Sequence, residues 1–180
     1  MRAADLVHSA ISSEPDYIDR AVAKVQANGL ALDVDAMRLT LALHRTGNAI
    51  TYDLDSSVHR SSGWAWSSFQ LLFALWMDGP AEAKVAARRV GMSRAAVSSL
   101  VNTLEREGLV TRVTSQRDRR AVILDLTEAG SRRILDTLPR HNARESAWAD
   151  LLTVEEREQL TALLIKLGSG VSADWVAVRD

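Results

Sequence analysis

The feature that most constrains this chain is a pair of short helices joined by a tight turn within residues 81–107. The spacing of the apolar residues predicts one helix over 81–90 and a second that begins at Ser93 and ends at Glu107. Gly91 permits the sharp turn between them, and Ser93 is a good N-cap for the second helix. Two helices joined in this way predict a helix-turn-helix.

Two short strands follow this pair of helices. Residues 109–114 and 121–126 are rich in β-branched residues and alternate in polarity, which is typical of strands. The loop between them is polar and carries three arginines, so the hairpin has a basic tip. A helix-turn-helix followed by such a hairpin predicts a winged helix-turn-helix.

Helical patterns flank this module on both sides. The predicted fold class is therefore mainly α with a small β-wing, in which a winged helix-turn-helix is joined to a helical dimerisation region. We expect an N-terminal extension with dimerisation helices over 1–66, the winged region over 67–126, and C-terminal dimerisation helices with a tail over 127–180. The flanking helices are predicted at 13–28, 33–58, 67–77, 127–150 and 153–167.

Composition excludes several classes of protein. The chain has 180 residues and no cysteine, which rules out disulfides and thiolate metal sites, and its four histidines lack i,i+4 spacing. We expect no metal and no cofactor. The sequence has no Gly-rich phosphate loop and no Gly-x-Ser-x-Gly elbow, so we expect no enzyme. Charges interrupt every apolar run well before ~18 residues, and the first residues lack the apolar core of a signal peptide, so we expect a cytoplasmic protein without membrane contact.

Charge is unevenly distributed along the chain. Residues 79–133 contain eleven Lys or Arg and six Asp or Glu, whereas the net charge of the whole chain is −1. The middle of the chain is therefore basic and both ends are acidic. This distribution favours a module that faces nucleic acid, carried on a solvated scaffold.

The second helix of the motif presents short polar side chains opposite its apolar stripe. A helix of this kind fits the major groove of B-DNA, where the residues of its N-terminal part reach base edges. The arginines of the hairpin tip suit the flanking minor groove, whose narrowing deepens the negative potential. The candidate DNA contacts are Ser93, Arg94, Ser98, Ser99 and Asn102 on the helix, and Arg117, Arg119 and Arg120 on the wing.

The residues of this module resemble the MarR family of bacterial regulators. The resemblance rests on three segments: 86–93, the run Leu-Glu-Arg-Glu-Gly-Leu-Val at 104–110, and Asp-Arg-Arg at 118–120 followed by Leu-Thr-Glu-Ala-Gly at 126–130. It extends over about 33–167. The resemblance implies a homodimer with interlocked terminal helices that reads a pseudo-palindromic operator in double-stranded DNA. It also implies release from DNA by small aromatic acids, and a role for Asp118 in shaping the wing through a pair with an arginine.

A cluster of aromatic residues precedes and enters the helix at 67–77. We expect Trp64, Trp66 and Phe69 to line a cavity for a small aromatic or anionic ligand, with His44 and Arg45 as polar partners. The alternative is that these aromatic residues are ordinary core.

The sequence thus predicts a sequence-specific DNA-binding transcriptional regulator, a repressor whose DNA binding a small molecule modulates. The alternative is a winged-helix protein–protein adaptor that does not bind DNA. A neutral or acidic exposed face on the second helix would favour the adaptor, and Arg94 and Arg106 on that face argue against it. DNA binding with a steep salt dependence distinguishes the two.

Overall fold

Local capping signals and apolar stripes account for most of the helices in the protein. The computed structural model describes residues 15–114 and 122–172. The chain divides into two compact units, residues 1–53 and 54–180. The first two residues of the helix predicted at 13–28 and the tail beyond residue 172 lie outside the described residues.

The N-terminal unit is built from helices α1 (Pro15–Ala27) and α2 (Val34–Leu54), the second of which ends at the unit boundary. Asp33 caps α2, because its Oδ1 accepts hydrogen bonds from the backbone N–H groups of Asp35 at 3.1 Å and Ala36 at 2.9 Å. An ion pair between Arg38 and Asp19 joins the two helices. The α-helix is shorter than the predicted 33–58, because the backbone changes to a π-helical turn at Asp55–His59 and then to a 3₁₀ turn at Arg60–Ser62.

The C-terminal unit contains the winged module and two long helices. Its elements are α3 (Trp66–Asp78), β1 (Ala81–Glu82), α4 (Ala83–Arg89), α5 (Arg94–Arg106), β2 (Val110–Thr114), β3 (Val122–Leu126), α6 (Glu128–Ala149), α7 (Val154–Gly168) and a final 3₁₀ turn, Ser169–Ser172. The predicted fold class, mainly α with a small β-wing, is confirmed.

One element differs from the prediction. Ala81 and Glu82 form a short strand, where a helix is predicted from Ala81 onward. They pair antiparallel with β3, with Ala81 opposite Leu124, which gives a three-stranded sheet of order β1-β3-β2. Because these two residues are tied to the sheet, α4 starts at Ala83 and Pro80 lies before the helix.

The core lies between α3, the helix-turn-helix and the sheet. It is assembled from apolar residues at helical spacing on the three helices, from inward positions of the strands and from one residue of α6. Its most deeply buried members are Leu71, Leu72, Val97, Val101, Leu104, Val110, Leu124 and Ile134. The winged module therefore has its own core, which leaves the opposite face of α5 available.

Two capping motifs position the long C-terminal helices. The spacing of Thr153 and Glu156 in the sequence predicts a capping box, and one is present at the start of α7: each of the two residues accepts a hydrogen bond from the other's backbone N–H. At the start of α6, Thr127 Oγ1 accepts from Gly130 N at 2.9 Å and donates to the Gly108 carbonyl at 2.7 Å. Thr127 thus fastens the start of α6 to the end of α5.

Candidate nucleic-acid interface and an adjoining cavity

The turn between α4 and α5 has the backbone geometry that the sequence predicts. Gly91 has φ of +66°, a left-handed conformation that favours glycine. Ser93 is the N-cap of α5, and its Oγ accepts a hydrogen bond from Ala96 N at 3.2 Å. Val97, Val101 and Leu104 are fully buried, and their burial fixes which face of α5 is directed toward the core.

The opposite face of α5 is directed outward and carries the candidate DNA contacts. Arg94, Ser98, Ser99 and Asn102 are exposed, and the cap residue Ser93 is half-buried. The exposed face is composed of one cation and short hydrogen-bonding groups, and a major groove is wide enough to admit such a helix. The structure brings these five predicted residues together on one helix and its cap, and their roles in DNA contact remain predictions.

Arg112 on β2 contacts the same face and is not among the residues predicted from sequence. One of its guanidinium nitrogens, Nη2, donates to Asn102 Oδ1 at 2.5 Å and to the Ser98 carbonyl at 3.3 Å. Its Nε lies 3.6 Å from a carboxylate oxygen of Glu105. The sequence shows Arg112 as the single cation of a short strand, which is a weak signal of a special role. It does not show that Arg112 contacts Asn102, which lies ten residues earlier on another element.

The wing is formed by β2 and β3, which pair antiparallel from Val110 opposite Leu126 to Thr114 opposite Val122. Residues 111–114 are exposed, so the outer part of the hairpin extends away from the core. The predicted contacts Arg117, Arg119 and Arg120, and the wing-shaping Asp118, lie outside the described residues.

The first turn of α6 packs so closely against the preceding backbone that only glycine fits at position 130. A Cβ placed on Gly130 would lie 2.1 Å from the carbonyl oxygen of Leu109. No side chain is compatible with that distance unless the backbone moves. The close approach holds the start of α6 against the base of the wing.

The predicted aromatic cluster is present and has two histidines at its centre. His59 is fully buried and His141 is 5% exposed, and the Phe69 ring lies 4.5 Å from each of their rings. Trp66 stacks on His141 at 5.9 Å, and Trp64 meets Phe69 edge-on at 5.8 Å. From sequence alone both histidines are expected to be structural residues, because spacing along the chain does not reveal that they meet the aromatic residues of 64–69.

Burial and charge lower the pKa of His59. Removal of water from the ring, together with the nearby His141, lowers the pKa to about 4, and Asp55 opposes this shift. Within the part of the chain that the structure describes, neither ring nitrogen of His59 has a hydrogen-bond partner. His59 is therefore neutral at pH 7.

A cavity of about 490 Å³ adjoins this cluster, between α3, α4 and α6. Trp66, Phe69 and Phe73 supply aromatic walls. His141 has an Nδ1 without a hydrogen-bond partner among the described residues, and its Nε2 lies 3.1 Å from Glu145. The remaining lining residues are Gln70, Ala74, Met77, Asp78, Arg89, Val90, Leu138 and Glu145.

Of the five predicted ligand residues, Trp66 and Phe69 line this cavity, and Trp64 packs against Phe69 in the buried cluster. His44 and Arg45 belong to the N-terminal unit. There the Asn48 amide lies 3.3 Å from His44 Nε2, and the Arg45 guanidinium stacks over the Tyr17 ring at 4.4 Å. Their role as ligand partners stays a prediction.

Neither a metal cluster nor a membrane span is found in the part of the chain that the structure describes. Within 15–114 and 122–172, no group of three or more His, Asp or Glu side chains is placed to hold a metal ion. None of the described helices combines the length and the hydropathy needed to cross a membrane.

Comparison with known proteins agrees with this geometry. A model of the MarR family matches residues 63–121, which contain the helix-turn-helix and the first strand of the wing. The uncharacterized HTH-type transcriptional regulator YwaE of Bacillus subtilis is 26% identical over 141 residues, or 78% of this chain and 82% of that protein.

Two solved structures share the fold. Sco3205, a MarR family transcriptional regulator from Streptomyces coelicolor in complex with DNA, has a TM-score of 0.74 at 21% identity and covers 83% of this chain and 96% of its own. The organohalide-sensing regulator RdhR-CbdbA1625, bound to 2,4-dichlorophenol, has a TM-score of 0.68 at 19% identity and covers 81% of this chain and 87% of its own. The winged module thus matches the model of the MarR family, and the chain shares its fold with regulators of this kind.

Proposed function

We propose that the protein is a sequence-specific DNA-binding transcriptional regulator that acts as a repressor. The observation that carries the proposal is the exposed face of α5, where Arg94, Ser98, Ser99 and Asn102 stand opposite a fully buried stripe. A helix that is anchored on one side and offers a cation and small polar groups on the other suits the major groove. The Streptomyces coelicolor relative is solved in complex with DNA, which supports the same use of the fold.

The proposed working unit is a homodimer. Helix α7 has an apolar stripe of four leucines, which are 41–63% exposed in a single chain. They lie at i, i+3, i+4 and i+7 and are Leu160, Leu163, Leu164 and Leu167. An apolar stripe of this size calls for a partner surface, and a second copy of the chain supplies an identical stripe. In such a dimer the two α5 helices would lie about 34 Å apart and read two halves of a pseudo-palindrome.

The proposal is tested by DNA binding of the full-length protein. Selection from random-sequence duplexes is expected to yield a pseudo-palindromic operator, and the affinity for it is expected to fall steeply with salt concentration because phosphate contacts release counterions. An adaptor that does not bind DNA would retain no duplex, and a protein without sequence preference would retain all duplexes equally.

We further propose that a small aromatic molecule binds in the cavity and weakens DNA binding. The aromatic walls support this assignment, as does the Nδ1 of His141, which has no hydrogen-bond partner within the described part of the chain, since ligand sites combine apolar surface with a few polar groups. The cavity borders α4, the first helix of the helix-turn-helix. A ligand bound there can therefore favour one spacing of the two winged modules in the proposed dimer. RdhR-CbdbA1625, which has the same fold, is solved with 2,4-dichlorophenol.

Tryptophan fluorescence tests the cavity, because Trp66 lines it. A panel of phenols and aromatic acids is expected to include a compound that changes the emission and weakens operator binding by about 5–150-fold, a typical coupling between two sites. His141→Phe is expected to weaken binding of that compound. His44→Phe tests the sequence-based assignment of His44, and an effect of this variant alone would move the site to the N-terminal unit.

The proposal assigns the protein no catalytic activity and no cofactor. The similar proteins are transcriptional regulators. A DNA-binding role agrees with the cytoplasmic location that is expected from the sequence.

A further inference from the structure

The contact between β2 and α5 through Arg112 connects the wing to the face that is proposed to read DNA. The Arg112 guanidinium donates to Asn102 Oδ1 at 2.5 Å and to the Ser98 carbonyl at 3.3 Å. A carboxylate oxygen of Glu105 lies 3.6 Å from Nε of the same side chain. The side chain of Arg112 is therefore held between three groups of one helix, and it is only about one-third exposed.

The chemistry of this contact fixes which end of the Asn102 amide faces Arg112. A guanidinium has five N–H donors and no acceptor, so the atom that faces it must be the amide oxygen. The amide nitrogen, which only donates, is then the group that Asn102 offers to a ligand on the exposed surface. An asparagine that is not held in this way can both donate and accept.

We infer that Arg112 is a positioning residue that turns the amide nitrogen of Asn102 toward DNA and so favours guanine over adenine at the base that Asn102 contacts. Guanine presents two acceptors in the major groove, N7 and O6. Adenine presents an acceptor and a donor, and asparagine reads it with both ends of the amide. Because Arg112 already donates to Oδ1, the hydrogen bond that the adenine N6 amino group would donate to Oδ1 is weakened. This inference rests on the proposed DNA-binding function.

The test compares full-length wild-type protein with Arg112→Met, which keeps an unbranched apolar side chain but has no donor. Affinity is measured for operator duplexes that carry guanine or adenine at each position in turn. We expect the guanine-to-adenine preference at one position to fall by roughly fivefold or more in Arg112→Met, the lower end of the effect of a bidentate contact. In an Asn102→Ala background, the Arg112→Met change is expected to leave that preference unaltered.

A measurement on the free protein keeps the inference testable without an operator. The side-chain amide resonances of Asn102 are expected to be shifted from those of an exposed asparagine in wild-type protein, because Arg112 holds the amide in one orientation, and to approach them in Arg112→Met. Arg112→Lys serves as a control that keeps the charge but lacks the forked donor.

The outcomes separate the inference from the proposed function. Arg112→Met overturns the inference if it weakens all duplexes equally and Arg112→Lys restores them, because Arg112 is then a phosphate contact. Unchanged amide resonances in Arg112→Met also overturn it. If wild-type protein selects no duplex, the proposed function fails, whereas the amide measurement still decides whether Arg112 positions Asn102.

Discussion

His59 shows how a single residue can make stability depend on pH. Its ring is enclosed by Trp64, Trp66, Phe69 and His141, and both of its nitrogens lack a partner among the described residues. A buried ring without hydrogen bonds resists protonation, which is why its pKa lies near 4.

The expected consequence is a loss of stability in mild acid. An unfolded histidine takes up a proton near pH 6.5, whereas folded His59 does so only near pH 4, so the unfolded chain binds more protons between these values. The free energy of unfolding should fall by up to about 3 kcal/mol as the pH drops from 6.5 to 4. His59→Phe should remove most of that fall, as measured by urea unfolding at several pH values. Equal pH dependence in both proteins would contradict this account.

Gly130 sets a second limit at the scale of one residue. Gly130→Ala places a methyl group 2.1 Å from the Leu109 carbonyl oxygen, so we expect a loss of about 3 kcal/mol or more through strain at the base of the wing. Gly47→Ala is the matched control, because Gly47 is also helical and has no atom within 4 Å of the added methyl. The control should be neutral or up to about 1 kcal/mol more stable. Thermal unfolding of the two variants gives the comparison, and similar melting temperatures would refute the steric argument.

At the scale of elements, helix α5 and the wing are expected to contribute differently to DNA binding. The helix faces outward with groups that can distinguish bases, whereas the wing tip is predicted from sequence to carry only arginines and polar residues. Phosphate contacts position a protein on DNA, and base contacts specify the sequence.

Two sets of variants test this division. Arg119→Ala and Arg120→Ala should weaken binding to operator and random DNA alike, and each should lower the slope of the salt dependence by about one unit if its arginine binds a phosphate. Arg94→Ala should instead change base preference, by roughly 1–3 kcal/mol at the contacted pair. Binding curves on both kinds of DNA at several salt concentrations provide the measurement. If Arg94→Ala lowers affinity equally for operator and random DNA, α5 does not read sequence through this residue.

At the scale of the whole molecule, the apolar stripe of α7 predicts an obligate dimer. Leu163 is 63% exposed in one chain. Leu163→Glu should place a charge in the dimer interface and give a monomer with much weaker operator binding, because a monomer reads only one half-site. Gln159→Glu adds the same charge to α7 outside the leucine stripe and should remain dimeric. Light scattering at low micromolar concentration measures the mass, and a dimeric Leu163→Glu variant would exclude this stripe from the interface.

Much of this fold is determined by signals that act within a few residues. Ser93, Thr127 and the Thr153–Glu156 capping box each satisfy backbone groups within one helical turn, so their effect can be read from sequence. The same holds for Gly91, whose left-handed backbone is a local requirement. The order of the winged module and the outward face of α5 follow from these signals and from the apolar stripes.

Only the tertiary structure decided which distant groups meet. The pairing of β1 with β3, the burial of His59 beside His141, and the contact from Arg112 to Asn102 all join residues on different elements. The composition of a short segment cannot encode such contacts, because their free energy depends on how separate elements pack and on the water that packing removes. The sequence by itself therefore determined the winged helix, whose signals are local. Packing in three dimensions decided where the cavity lies and which atoms line it.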